Sequence, residues 1–386
     1  MIYLDNNGTT MMTDMTIKEI NRWMNTGNPS GSYATGAREL IRRLKNRVLE
    51  LCHSPDYVTI LMSSGSEANA TFIYNLSKLG KCSVIVSPIE HSNVLETLKQ
   101  YPNLTPIFVP VTETGHILAK DIKKLIRSDT KAIICMHANN ETGAINDIYE
   151  IGHLAKTYHL FFHCDIVQTF CKIPMDLENS GISSFSISFH KIHGPPGLGA
   201  LVLHKRLSMA PMIGGTQNGG LRGGTENILG IAGSLHALSE WNPSLIKEVY
   251  QREELLKRYL LKILSANFIL RPAWESPLYG RLCLYVFYAP NIYLPGTLLM
   301  STSDGKRSIC NKRMKSRLDA EGIIVSIGSA CHVSKKEASH VLIAMNVPEY
   351  IINGIIRISM SRDTKKKDIE KFAQVYVAEV LEQFRT

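Results

Sequence analysis

The sequence lacks any hydrophobic run long enough to cross a bilayer. Its apolar runs, such as Ala132–Met136 and Leu198–Leu203, are far shorter than the roughly 20 residues that a membrane-spanning helix needs. The N-terminal residues contain neither the basic stretch nor the apolar stretch of a secretory signal peptide. These absences predict a soluble protein of the cytoplasm with no membrane partner.

The sequence also lacks the ligand spacings of a metal site. None of its eight cysteines forms a C-x-x-C pair, and no carboxylate or thiol completes a ligand set beside paired histidines such as His190 and His193. Since no secretory signal is present, we expect the cysteines to be reduced thiols. The sequence therefore predicts neither a structural metal nor a disulfide framework.

Composition and charge are those of an ordinary globular protein. Of 386 residues, 44% are hydrophobic and 20% are charged, which excludes a disordered, collagen-like or coiled-coil chain. The net charge of +9 is concentrated in two basic segments, 306–317 and 362–367. Such segments can meet phosphate or acidic partners. Because no aromatic stacking residues are interleaved with the charges, we interpret both as solvated surface and expect no nucleic-acid partner.

The first 235 or so residues alternate short apolar runs with helical patterns. The predicted strands are Val58–Met62, Ser83–Ser87, Pro106–Val111, Ala132–Met136, Leu160–Cys164, Phe185–Phe189 and Leu198–Leu203. This alternation predicts an α/β fold with a largely parallel sheet flanked by helices. After about residue 240 the pattern becomes irregular, which predicts a smaller α+β domain. Tyr293–Arg317 shows no clear periodicity.

Polar side chains follow five of the predicted strands, at the sheet edge where open α/β proteins bind ligands. They are carried by the segments 63–69, 90–91, 137–143, 163–168 and 190–197. Each has a structural alternative, since Ser before Glu is a helix-capping signal and a lone His is more often structural than catalytic. Their shared position at one edge favours a common site.

A pyridoxal phosphate site accounts for these residues together. Lys191 would form a Schiff base with the cofactor, and Asp165 would keep the pyridine nitrogen protonated. The turn at Gly65 and Ser66, before a helix, would cradle the phosphate, and His91 would pack on the ring. Two further side chains would bind the phenolic oxygen, namely Gln168 and Asn140.

The chain resembles the cysteine desulfurase family (NifS/IscS-like), within the class V aminotransferase group of fold-type I pyridoxal phosphate enzymes. The resemblance rests on ordered fragments along most of the chain. They are Tyr3-Leu-Asp5, Gly27-Asn-Pro-Ser30, Glu90-His91, Asn139-Asn-Glu-Thr-Gly143, Asp165-Ile-Val-Gln168, Ser188-Phe-His-Lys191, Gly214–Asn227, Gly328-Ser-Ala-Cys331 and Ile355–Ser359. The sequence departs from the family pattern at the shorter phosphate turn, at Tyr33, at Arg222-Gly-Gly-Thr and across 293–317.

The resemblance implies a role for each matching residue. Ser188 and His190 would help to bind phosphate together with the turn that contains Glu67, and Thr225 would reach the cofactor of the neighbouring subunit in a homodimer. Arg357 would bind the substrate carboxylate, with Asn140 beside it. The implied domains are residues 15–240, which hold the cofactor, and residues 1–14 with 241–386, which carry the loop of the catalytic cysteine.

The implied reaction converts L-cysteine to L-alanine. Lys191 would shuttle the Cα proton, His91 would accept a thiol proton, and Cys331 would attack the substrate sulfur and keep it as a persulfide. The spacing from Cys331 to Val341 resembles the subgroup that passes sulfur to scaffold or carrier proteins, as in iron–sulfur cluster assembly. The alternatives are another class V enzyme, such as a selenocysteine lyase or an aminotransferase, and a non-catalytic binding protein.

Overall fold

The computed structural model describes residues 1–31, 34–328 and 339–385. Within these ranges the chain forms an α/β structure with a large and a small sheet. The strands are β1 Ile2–Tyr3, β2 Tyr57–Met62, β3 Cys82–Val86, β4 Leu104–Phe108, β5 Thr130–Ile134, β6 Phe161–Asp165, β7 Ser184–Ser188, β8 Gly199–His204, β9 Ile269–Pro272, β10 Cys283–Phe287, β11 Thr297–Ser303, β12 Ile323–Ile324 and β13 Ile356–Ser359. The helices are α1 Asp14–Arg22, α2 Thr35–Leu51, α3 Gly65–Ser77, α4 Ser92–Lys99, α5 Ala119–Leu125, α6 Ile148–Thr157, α7 Ile228–Ser239, α8 Pro243–Ser265, α9 Asn311–Ala320, α10 His340–Ala344, α11 Glu349–Ile352 and α12 Lys366–Arg385.

The large sheet confirms the predicted seven-stranded, mostly parallel architecture. Its strand order is β2-β8-β7-β6-β5-β3-β4, and β8 alone runs antiparallel to its two neighbours. All five residues of β3 and of β7 are buried, as expected for parallel strands covered by helices on both faces. The carboxyl ends of β5, β6 and β7 therefore lie side by side at one edge.

Helix α2 shows how the flanking helices are held on this sheet. Its apolar residues recur at helical spacing, and Leu40, Leu44 and Val48 are buried in the main core. Burying each such side chain contributes about 1.5–3 kcal/mol relative to leaving it exposed. The helices thereby fix the backbone of the strands whose ends carry the polar side chains.

The small sheet lies in the C-terminal part of the chain and also receives the N-terminus. Its order is β13-β11-β10-β9, and a separate parallel pair joins β1 to β12. The Ser359 amide donates to the Leu4 carbonyl at 2.7 Å, which ties the first residues to β13. The proposed domain division at residues 14/15 and 240/241 stays a prediction.

The segment without sequence periodicity contains a strand and a helix, β11 and α9. Every residue of β11 is buried, including its serines and threonines, so the strand shows no alternation. The buried hydroxyls find partners inside the protein, as Thr302 Oγ1 does 2.8 Å from the Tyr376 hydroxyl. Strand β12 is limited to Ile323–Ile324, which pair with the two residues of β1, and Ser326 beyond it forms an isolated antiparallel bridge with Arg357.

Among the described residues, no helix combines the length and the apolar character that crossing a membrane requires.

Candidate active site

A cavity of about 270 Å³ opens at the carboxyl ends of β5, β6 and β7. Ten of the residues predicted from sequence line it: Gly65, Ser66, His91, Asn140, Asp165, Gln168, Ser188, His190, Lys191 and Arg357. Cys331 and Tyr33 lie outside the described residues. The folded chain thus brings together most of the side chains that sequence reasoning placed in one site.

Lys191 lies in the short turn that follows β7, with its amine in the cavity. Nζ donates hydrogen bonds to the carbonyl oxygens of Asn7 and Gly8 at 2.5 and 2.6 Å. Burial, together with the positive charges of Lys172 and Arg357, lowers the pKa of Lys191 to about 7. A large fraction of this amine is therefore uncharged at neutral pH, the form that attacks a carbonyl carbon.

Asp165 ends β6 and is held by two donors. Its Oδ2 accepts from Asn69 Nδ2 at 2.9 Å, and its Oδ1 accepts from the Val167 amide at 2.9 Å. Because a carboxylate only accepts, Asn69 must present its Nδ2 here and its Oδ1 to His163 Nε2, 2.9 Å away. Sequence reasoning gave no role to Asn69 or His163, although both lie in the segments that it quoted.

His163 supports this arrangement as a neutral side chain. Burial lowers the pKa of His163 to about 3. Donating from Nε2 to Asn69 leaves Nδ1 to accept from the Ser184 hydroxyl at 2.8 Å. The ring also stacks on Phe72, with centroids 4.4 Å apart. The Asp165 carboxylate is thus oriented by hydrogen-bonded side chains that carry no charge. It can still accept a hydrogen bond from a cationic group in the cavity.

The turn before α3 has the form of an anion cradle. Ser64 caps the helix, since its hydroxyl accepts from the Glu67 amide at 3.1 Å. Gly65 is required by packing, because a Cβ there would lie 2.9 Å from Val167 Cγ2. The helix start therefore points its amide groups into a cavity that Ser66 and Ser188 also line.

Two residues predicted to bind the cofactor do not line this cavity. The Glu67 carboxylate accepts from the Ser63 amide at 2.6 Å and is paired with Arg222 at 2.9 Å. Thr225 lines a second cavity of about 150 Å³ beside Arg222. Glu67 therefore links the turn before α3 to the glycine-rich loop that carries Thr225.

Arg357 is 2% exposed and projects from β13 into the cavity. Its guanidinium donates to Asp5 Oδ1 at 2.7 Å and to the Asn140 carbonyl at 2.9 Å, while its Nε has no partner among the described residues. A buried donor without a partner costs free energy unless a ligand supplies an acceptor. The arrangement suits a carboxylate ligand held between β13 and the loop after β5.

His91 immediately precedes α4 and faces the same cavity. Its Nδ1 lies 2.8 Å from Asn93 Oδ1, so in the tautomer that donates this hydrogen bond Nε2 keeps its lone pair. His340 is a lining residue that sequence reasoning missed, and its Nε2 lies 2.9 Å from the Glu90 carbonyl oxygen. It was missed because only folding brings position 340 beside position 90.

Glu90 is a fully buried carboxyl next to this wall of the site. Its Oε1 accepts from the Met136 amide at 2.6 Å, and its Oε2 has no partner in the described part of the chain. Burial raises the pKa of Glu90 to about 8. The folded protein therefore holds this side chain as an uncharged acid near neutral pH.

Replacing Glu90 with glutamine should stabilise the protein at high pH. Because the folded-state pKa of about 8 exceeds the ordinary value of 4.5, the stability that Glu90 contributes is complete below pH 4.5 and is lost as the pH rises through 8. We expect Glu90→Gln to match the parent at pH 5 and to exceed its free energy of unfolding by roughly 1–3 kcal/mol at pH 8. Urea denaturation at both pH values measures this, with the exposed Glu113→Gln as control. Equal free energies of unfolding for the parent and Glu90→Gln at pH 8 would show that ionisation of Glu90 does not destabilise the protein.

Comparison with known proteins gives a consistent result. The family model "Aminotransferase class-V" matches residues 2–274. The cysteine desulfurase IscS of Dictyoglomus turgidum is 32% identical, over 100% of this chain and 95% of that protein. The IscS of Methanosarcina thermophila is 31% identical, over 100% and 93%.

Solved structures resemble the whole fold. A NifS-like protein from Rickettsia africae superposes with a TM-score of 0.83 at 29% identity and covers 98% of this chain and 99% of its own. A structure titled "SspA in complex with cysteine" superposes with a TM-score of 0.77 at 26% identity, covering 94% of this chain and 99% of its own. The similarity therefore extends over the two sheets and the cavity that they border.

Proposed function

The chain belongs to the class-V aminotransferase family and is a cysteine desulfurase, and from this premise we propose that its cavity binds pyridoxal phosphate and L-cysteine. The observation that carries the proposal is the placement of Lys191 and Asp165 in one cavity, a partly buried amine with a pKa lowered to about 7 and a carboxylate fixed by two donors. One structural neighbour is titled as a complex with cysteine, which supports this substrate.

The residues present fit this cofactor. The Lys191 amine would attach to its aldehyde, Asp165 would pair with its pyridine nitrogen, and the helix start at Gly65 and Ser66 would take its phosphate, with Ser188 beside them. His91 would lie on the ring face, and Gln168 and Asn140 at the phenolic oxygen. When bound, pyridoxal phosphate supplies an electron sink for the pair of electrons released at the substrate Cα.

Three side chains of this protein would then have separate roles in the reaction. Lys191, uncharged in large part at neutral pH, would remove the Cα proton. Alanine gains one proton at Cβ and regains one at Cα, and these balance the Cα proton and the thiol proton that are removed. His91 Nε2 would accept a thiol proton. The Cys331 thiolate would attack the substrate sulfur, so that a sulfur–sulfur bond forms as the carbon–sulfur bond breaks, and alanine leaves.

We further propose the assembly that the resemblance implies. The protein would act as a homodimer in which Thr225 of each chain reaches the cofactor of the other. The persulfide sulfur would pass to a scaffold or carrier protein, and residues 1–14 with 241–386 would form the domain that carries Cys331.

The test of this function is a spectrum of the purified protein, reconstituted with pyridoxal phosphate, before and after L-cysteine is added. We expect a visible band that borohydride abolishes, a spectral change with cysteine, and equal amounts of alanine and transferred sulfur. A colourless, inactive protein after reconstitution would contradict the proposal. Formation of alanine from selenocysteine but not from cysteine would favour the lyase alternative.

Substitution of Arg357 should weaken substrate binding more than cofactor binding. A charged hydrogen bond from a buried guanidinium is worth about 1.5–3 kcal/mol, so Arg357→Gln should raise the KM for L-cysteine roughly 10- to 100-fold. Arg357→Lys should recover only part of this loss, because an ammonium cannot bind a carboxylate in bidentate fashion. The exposed Arg206→Gln is the matched control. An unchanged KM would remove Arg357 from the substrate site.

A further inference from the structure

Lys172 places a second amine beside the active site, and the mechanism above does not use it. Its Nζ donates to Gln168 Oε1 at 3.1 Å. Gln168 Nε2 in turn donates to the Asn7 carbonyl at 3.0 Å, and this same carbonyl accepts from Lys191 Nζ. A continuous chain of polar contacts therefore joins the two lysines through one amide and one carbonyl.

This chain fixes the orientation of Gln168. An ammonium group can only donate, so the Gln168 carbonyl oxygen must face Lys172 and the amide nitrogen must face Asn7. Gln168 lines the cavity, where its amide nitrogen is the group suited to an anionic oxygen of a ligand. The Asn7 carbonyl, which can only accept, requires the same orientation, so the two contacts together fix the amide.

The two amines also interact through their charges. After burial, the charge of Lys172 is the largest influence that lowers the pKa of Lys191 to about 7. Lys172 has a pKa lowered to about 8 by burial, and the buried Glu253 of α8 is the opposing charge that favours its ammonium form. The other titratable or charged groups around these amines are Arg357 from β13, Asp5 from the N-terminal segment, Asp165 from β6, and His190 and His193 from the turn after β7.

We propose that Lys172 is a positioning residue of this active site, whose ammonium, joined to the Lys191 amine through the Gln168 amide and the Asn7 carbonyl, governs the reactivity of that amine. This inference rests on the proposed function, since it concerns the same site. Glu253 provides the opposing charge that favours the ammonium form of Lys172. Lys172 is partly buried and Glu253 is buried, and neither of them lines the cavity.

The experiment measures the reactivity of Lys191 in the full-length chain after its cofactor has been removed with hydroxylamine. Reductive methylation with formaldehyde and cyanoborohydride is followed at each pH by mass spectrometry of the Lys191 peptide. Removing a neighbouring positive charge should raise the labelling midpoint by about one pH unit in Lys172→Met. A rise from about 7 to about 8 lowers the uncharged fraction at pH 7 about fivefold.

Three further variants separate positioning from a structural effect. Lys172→Arg keeps the charge and the donor and should restore the parent midpoint, whereas Lys172→Gln keeps a donor without the charge and should share the upward shift. Lys257→Met removes another buried amine near Glu253, one that donates to the Leu294 carbonyl at 2.7 Å, and should leave the midpoint unchanged. Circular dichroism checks folding, and Lys172→Gln carries the test should Lys172→Met not fold.

A folded Lys172→Met or Lys172→Gln with the parent midpoint would overturn the proposal, as would an equal shift in Lys257→Met. Labelling is independent of catalysis. A shift seen in a protein that forms no alanine from cysteine would therefore contradict the proposed function while supporting the role of Lys172.

Discussion

Replacing Lys191 with alanine is expected to abolish desulfurase activity and the covalent attachment of the cofactor. The substitution removes the amine that would both bind the aldehyde and carry the Cα proton, so alanine formation should fall by about 10³-fold or more. The visible band that borohydride abolishes in the parent should be absent. Alanine production and borohydride reduction followed by mass spectrometry measure the two effects.

The matched control for this substitution is Lys205→Ala, which removes an exposed lysine whose amine donates to the Pro55 carbonyl at 2.6 Å. Lys191→Arg should not restore activity, because a guanidinium stays protonated and can neither attack a carbonyl carbon nor accept a proton. Near-parent activity in either Lys191 variant would show that another amine performs the chemistry, and Lys172, the second amine joined to Asn7 through Gln168, would be the first to test.

The large sheet could be predicted from sequence because the pattern that predicts each of its strands and flanking helices lies within a short segment of the chain. A buried parallel strand such as β5 is a short apolar run bounded by polar residues, and the helices between strands repeat at helical spacing. The same locality placed Asp165 and Lys191 at strand ends, and parallel strands bring such ends to one edge. Because parallel strands end at one edge of the sheet, Asp165 and Lys191, which are separate in the sequence, could be predicted to share one site.

The contacts that complete the site could not be predicted, because they join residues far apart in the chain. Arg357 meets Asp5 only when β13 and the N-terminal segment lie together, and Lys191 meets the carbonyls of Asn7 and Gly8 across the same junction. Backbone carbonyl acceptors carry no side-chain signal, so no reading of residue types would have found them. β11 was missed for a related reason, since its buried hydroxyls are paired with distant partners.

Replacing Cys331 with alanine is expected to abolish sulfur transfer while leaving cofactor binding intact. The thiolate is the nucleophile that would take sulfur from the substrate, so persulfide formation should fall by about 10³-fold or more. The variant should keep the visible band at Lys191 and should still show a spectral change when L-cysteine is added. Alanine and acceptor-bound sulfide are assayed in parallel with the spectrum.

The matched control is Cys310→Ala, because Cys310 is the exposed free thiol among the described cysteines. If Cys310→Ala kept full activity and Cys331→Ala lost it, the loss of activity would be due to the Cys331 thiol and not to the removal of any cysteine. A Cys331→Ala protein that released sulfur from cysteine at the parent rate would exclude persulfide chemistry at this position. Since Lys191, Asp165 and Arg357 would remain in place in that variant, such a result would favour a class V enzyme that uses the same cavity without a cysteine nucleophile.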